Sequence, residues 1–182
     1  MKLKLLILVL AMQTAWLLAT VAVQEYALAN GKVILLETRP VDPRDLLSGD
    51  YLMLNYKISD VPANLFSPPV KKDLPYGAKI YVALAPGTNQ FYAVTRASTN
   101  EFAPSSGAEV VLRGESAYAW WKTTNTIHVA YGIERYYVAE NTGSPRGKLT
   151  VQAVVPASGH PKIKEVFVDG KPYAEAMKSE AP

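Results

Sequence analysis

The feature that most constrains this chain is the run from Leu5 to Val23, 19 positions without a charge and interrupted only by Gln13, Thr14 and Thr20. At about 1.5 Å per helical residue, it just spans a hydrocarbon core about 30 Å thick. Lys2, Lys4 and the amino terminus precede it, and basic residues hold the flanking end of a span in the cytoplasm. Residues 1–30 are therefore expected to form an N-terminal membrane anchor with the remaining chain outside the cytoplasm. Gln24 to Ala29 continues the helix to a stop at Gly31. The competing reading is a cleaved secretion signal, because Ala27, Leu28 and Ala29 have the small-residue spacing a signal peptidase accepts. The apolar run exceeds the usual signal core of about 7 to 15 residues, which favours the anchor.

Residues 31–182 have the size of one domain with its own core. The chain of 182 residues contains no cysteine, so it has no disulfide framework, thiol nucleophile or sulfur metal site. Its net charge is +3. The basic excess is a thin scatter of Arg146, Lys148, Lys162, Lys164, Lys171 and Lys178, too sparse to indicate a nucleic-acid partner.

Alternation and turn punctuation run through residues 31–182, and the fold class expected is all-β, mainly antiparallel, sandwich or barrel-like. "KVILLETR" (Lys32 to Arg39) leaves the anchor as the first strand. "YLMLNYKI" (Tyr51 to Ile58) turns Leu52, Leu54, Tyr56 and Ile58 to one face, the expected core face, and Tyr51, Met53, Asn55 and Lys57 to the other. Pro62, Pro68, Pro69 and Pro75 mark residues 60–77 as a Pro-rich surface loop that cannot be an interior strand. "KIYVALAP" and "FYAVTRAS" flank a hairpin signal at Gly87, Thr88 and Asn89. "EVVLRGESAYAW", "TIHVAYG", "ERYYVA", "KLTVQAVV" and "KIKEVFVD" are further strands, with a tight turn at Asp169 and Gly170. Residues 173–182 read as a frayed tail.

Few residues suggest chemistry. His128 and His160 are the only histidines, too few for an imidazole-rich metal site, and His128 alternates with Ile127 and Val129 as a surface-facing strand position. Ser158 and His160 lie close in "PASGHP", without an acid or an oxyanion turn. There is no Gly-rich phosphate loop. These patterns point to no catalytic residue, metal or cofactor. The 11 tyrosines and 3 tryptophans are dense in "AYAWWK" and "YGIERYYV". They suit sheet packing, or, where exposed, a stacking platform for sugars or a partner.

The most patterned stretch is "PVDPRDLLSGDYLMLNY" (Pro40 to Tyr56). Asp42 has the form of an N-cap, Pro43 suits the first helical position, and Asp45 lies near the positive end of the helix dipole. Gly49 ends that turn, and Asp50 can bond the backbone that redirects the chain into the strand beginning at Tyr51. The stretch reads as a structural junction. If it also touches a partner, the candidate residues are Asp42, Arg44, Asp45, Gly49, Asp50, Tyr51, Leu54 and Tyr56, with Glu134, Arg135 and Tyr136 from "YGIERYYV". Glu134 and Arg135 are neighbours on a strand and cannot both line one pocket without a bulge.

"GDYLMLNY" resembles the bacterial family named for the motif GDYxxLxY at Gly49, Asp50, Tyr51, Leu54 and Tyr56. "PVDPRDL", "VVLRG", "YGIERYYV" and "VFVDGKPY" are similar to further blocks of that family, so the likeness covers nearly the whole chain. The resemblance implies a membrane-anchored protein with no assigned catalytic residue or cofactor, and a multi-pass integral membrane protein as partner. A fainter resemblance is to signal peptidase I, whose Ser-Met-x-Pro-Thr-Leu-x-x-Gly-Asp run opens a β-rich domain behind an anchor. "VDPRDLLSGDYLML" is similar at Leu46, Gly49 and Asp50. The nucleophile position falls on Val41, however, and the proline is displaced onto Pro43. Arg113 stands in "VVLRGES", where the general-base lysine is expected, and a guanidinium stays protonated. Ser48 is the only nearby hydroxyl.

Three expectations follow. The first is a non-catalytic accessory or binding subunit of an integral membrane protein. The second is a divergent signal-peptidase-like hydrolase using Ser48. The third is an envelope glycan-binding module that stacks sugars on aromatic residues such as Trp121.

Overall fold

The computed structural model describes residues 2–39, 51–70, 74–118, 125–138, 145 and 147–180. Helix α1 (Lys2–Ala29) buries none of its residues and is long and apolar enough to cross a membrane. It ends where expected: Asn30 N–H donates to the Tyr26 carbonyl, and strand β1 (Lys32–Glu37) follows directly. Gly31 fits where a side chain cannot, because a Cβ there would lie 2.3 Å from Val154 Cγ1. Lys162 Nζ also donates to Gln24 Oε1 on the helix. Gln24 on α1 and Gly31 just past its end thus both meet the domain.

The other strands are β2 (Tyr51–Met53), β3 (Asp60–Pro62), β4 (Lys79–Pro86), β5 (Tyr92–Ser98), β6 (Val110–Ser116), β7 (Thr126–Ala130), β8 (Arg135–Tyr137), β9 (Leu149–Val155), β10 (Lys162–Val168) and β11 (Lys171–Pro172). They form three antiparallel sheets, in the orders β1-β9-β10-β11, β2-β8 and β3-β7-β6-β4-β5. Ile34, Leu36, Val151, Ala153 and Val166 of the four-stranded sheet join Ile80, Val82, Leu84, Leu112 and Val129 of the five-stranded one in a single buried cluster. The architecture is thus sandwich-like, as the alternation predicts, and no sheet among the described residues closes into a barrel.

Turn chemistry places the hairpins as expected. Gly87 N–H donates to the Phe91 carbonyl between β4 and β5, with Gln90 at φ 68°. Asp169 and Gly170 take φ 49° and 82° between β10 and β11, the positive angles that a two-residue turn requires. Gly114 in β6 leaves room for its neighbour, since a Cβ there would lie 2.5 Å from Val129 Cγ1.

Two expectations are corrected. The Pro-rich stretch is not loop from its start: Asp60, Val61 and Pro62 form β3, which pairs with β7. Proline is tolerated because β3 is the edge of its sheet, and Val61 and Phe66 enter the core. The frayed tail is instead helix α2 (Tyr173–Glu180), which buries Tyr173 and Ala176 and packs Met177 against the core.

Candidate functional site

Strand β2 pairs with β8 through Tyr51↔Tyr137, Leu52↔Tyr136 and Met53↔Arg135, so "GDYLMLNY" and "YGIERYYV" build one feature. Pairing continues past the strand as Leu54 N–H donates to the Glu134 carbonyl at 2.7 Å. Two buried tyrosines then lace the segments in opposite directions. Tyr56 donates its hydroxyl to the Ile133 carbonyl at 2.7 Å, and Tyr131 donates to the Ile58 carbonyl at 2.8 Å. Burial, reinforced by the nearby Glu134 carboxylate, pushes both phenols far above their ordinary pKa, and Asp60 adds to the effect at Tyr131. Each therefore remains a neutral hydrogen-bond donor.

Glu134 shapes the turn that precedes β8. Its Oε1 accepts from Tyr131 N–H at 2.5 Å and its Oε2 from Gly132 N–H at 2.9 Å, with Gly132 at φ 81°. An ionised carboxylate accepting two backbone donors makes strong hydrogen bonds. Arg135 points elsewhere, its guanidinium 5.3 Å from the centre of the Tyr51 ring. The two side chains point apart, but not as neighbours on one strand: Glu134 lies in the turn and Arg135 opens β8.

The ribbon formed by β2 and β8 has two different faces. Leu52 and Tyr136 turn inward, and Tyr136 meets Tyr173 of α2 edge to face at 5.7 Å. Tyr51, Met53, Arg135 and Tyr137 turn outward. Met53 is 47% exposed and Tyr137 74%, and the Tyr51 and Tyr137 rings lie 6.1 Å apart. The result is an aromatic and thioether surface carrying one cation. Aromatic residues, Met and Arg are the types enriched in protein interfaces.

The residues singled out from sequence therefore separate into groups. Tyr51 and Arg135 lie on the outward face. Leu54 and Tyr56 are core, Glu134 caps a turn, and Tyr136 packs inward beneath α2. Asp42, Arg44, Asp45, Gly49 and Asp50 lie outside the described residues, as do Ser48, Trp120 and Trp121. Met53 and Tyr137 were missed, although the register of Tyr51 on an alternating strand marks Met53 as its companion.

A second polar cluster was also missed. Asp60 receives an ion pair from Arg39 on one oxygen and meets His128 Nδ1 at 2.8 Å on the other. The surface reading of His128 is corrected: its side chain is only 14% exposed, and it bonds to β3 across the β3–β7 pair. Among the described residues, no three His, Asp or Glu side chains come together as a metal site would need. Arg113 donates to the Tyr81 hydroxyl at 3.0 Å and to Glu101 at 3.2 Å, a structural ion-pair network.

The fold and junction define a class: a β-rich domain behind one long apolar helix, welded by the segments "GDYLMLNY" and "YGIERYYV". A family model described as "GDYXXLXY protein" matches residues 13–171, and the chain belongs to that family. No curated protein and no solved structure matches it.

Proposed function

We propose that this chain is a single-pass protein of the cytoplasmic membrane, N-terminus inside, whose β-rich domain works on the outer side as a non-catalytic accessory subunit of an integral membrane protein. The observation that carries this reading is the outward face of the β2–β8 ribbon. Met53, Arg135 and Tyr137 stand exposed, with Tyr51 half-buried beside them, on a two-stranded unit whose opposite face packs against the core. Such a face is rigid, apolar in body and charged at one point, which suits protein contact at low ordering cost. Helix α1, exposed along its length, supports the membrane part of the reading, because 19 uncharged positions are stable only when lipid or protein covers them. The test is gentle crosslinking of the full-length chain at native expression, followed by detergent extraction and mass spectrometry. A defined second membrane protein is expected; recovery of monomer alone counts against the reading.

One observation favours glycan binding instead. Tyr76 and Tyr118 stack face to face, 5.5 Å apart and 9° from parallel, while staying 72% and 82% exposed. Retention on envelope glycans, lost on Tyr118→Ala, would support that alternative. The hydrolase reading rests on Ser48 and on sequence alone.

A further inference from the structure

Within α1, the hydroxyls of Thr14 and Thr20 donate to the Leu10 and Leu17 carbonyls one turn back. A threonine satisfied in this way sits in lipid at little cost. Gln13 differs, because its side-chain amide has no hydrogen-bond partner among the described residues. It also lies near the middle of the run from Leu5 to Val23. A primary amide with two donors and an acceptor is costly there unless another helix meets it.

The position of Gln13 on the helix adds direction. Gln13, Thr20 and Gln24 stand at i, i+7 and i+11, which at 100° per residue places them within about 40° of one another on one face. Ala11, Ala15 and Ala22 lie on the opposite face. The polar seam continues into the domain, since Gln24 accepts from Lys162 and the close packing of Gly31 on Val154 follows seven residues further along, just past the end of the helix. The base of the domain thus overhangs the side on which Gln13 points.

We propose that the Gln13–Thr20 seam is a docking surface for a transmembrane helix of a separate integral membrane protein, one that presents a hydrogen-bonding group to Gln13 at mid-depth. The overhang selects this occupant. A second copy meeting the seam face to face around a two-fold axis would carry its own domain into the same space above the helices. A partner helix lying beneath the domain meets no such conflict. This inference rests on the accessory-subunit reading and names the surface inside the membrane through which that subunit is held.

The helical periodicity makes a direct test available in the full-length chain in its own membranes. A photocrosslinking residue is placed singly at Leu6 and Thr20 on the seam, at Ala15 and Ala22 on the opposite face, and at Tyr137 on the ribbon. The expected result is an adduct with one integral membrane protein from the seam positions and not from Ala15 or Ala22. Gln13→Leu should reduce that adduct several-fold, while Gln13→Asn and Ala15→Leu leave most of it. An adduct from Tyr137 with none from the seam overturns the inference and leaves the accessory reading standing. Adducts from Ala15 and Ala22 equal to those from the seam, or seam adducts of twice the chain's own mass, also overturn it. No adduct with a second membrane protein from any position overturns both.

Discussion

Tyr56→Phe separates a structural role from a contact role for the family motif. The substitution removes one hydroxyl from a fully buried ring and leaves the ring volume in place, so no cavity opens. What is lost is the 2.7 Å bond to the Ile133 carbonyl, which then stays buried without its donor. A net hydrogen bond contributes about 0.5 to 1.5 kcal/mol and an orphaned acceptor raises the cost, so about 1 to 2 kcal/mol is expected. For a domain of roughly 150 residues that corresponds to a fall in Tm of about 2 to 8 °C. Thermal unfolding of the full-length chain in detergent, followed by circular dichroism, measures it. The pH dependence provides a second signature. The Tyr56 pKa is raised in the folded state, so its contribution is complete below the ordinary tyrosine value of 10 and is lost as pH climbs above it. The variant should therefore lose less stability than the parent above pH 10, because one buried phenol no longer has to ionise on unfolding. A Tm within about 1 °C of the parent, with an unchanged alkaline slope, would refute the claim that the tyrosine welds the two segments.

Other consequences are local. Gly114→Ala brings a methyl to 2.5 Å from Val129 Cγ1 and 2.8 Å from the Ala130 carbonyl, so overpacking should cost about 1 to 3 kcal/mol in chemical denaturation. Glu37 accepts from Lys148 at 2.5 Å and from Lys57 at 2.7 Å, and these bonds hold its carboxyl below the usual range. Its depressed pKa means stability that is present above the ordinary value of 4.5 and is lost as pH falls through the folded value. Glu37→Gln should accordingly flatten the decline in Tm below pH 4.5 while lowering Tm at neutral pH.

Local pattern was legible where one short period decided the outcome. The alternation of "YLMLNYKI" correctly set Leu54, Tyr56 and Ile58 inside and Met53 and Lys57 outside, although the regular strand is shorter than it suggested: β2 ends at Met53, and Lys57–Ser59 is a single 3-10 turn that buries Ile58. What the alternation did not carry was the partner strand. Tyr56 reaches Ile133 across 77 positions, and nothing local to either segment encodes that closure. A separation of 68 positions likewise hid the Asp60–His128 bond, since Asp60 opens a stretch whose prolines read as loop. Pro62 is compatible with a strand only at a sheet edge, and edge position is a property of topology. The C-terminal helix carried a readable signal that composition masked: Tyr173, Ala176 and Met177 recur at i, i+3 and i+4 on the face that packs.

The family segments thus have two faces, an inner one that holds the fold and an outer one, presenting Met53, Arg135 and Tyr137, to which we assign partner contact. The most direct measurement is to purify the full-length chain carrying Arg135→Ala and Tyr137→Ala from crosslinked native membranes, beside the parent and Tyr56→Phe. The outer-face variant should keep its thermal stability, with a change within about 0.5 kcal/mol, and lose the copurifying membrane protein. Tyr56→Phe should lose stability and keep that protein. An outer-face variant that retains the partner at the parent's level would contradict the assignment of that face to binding.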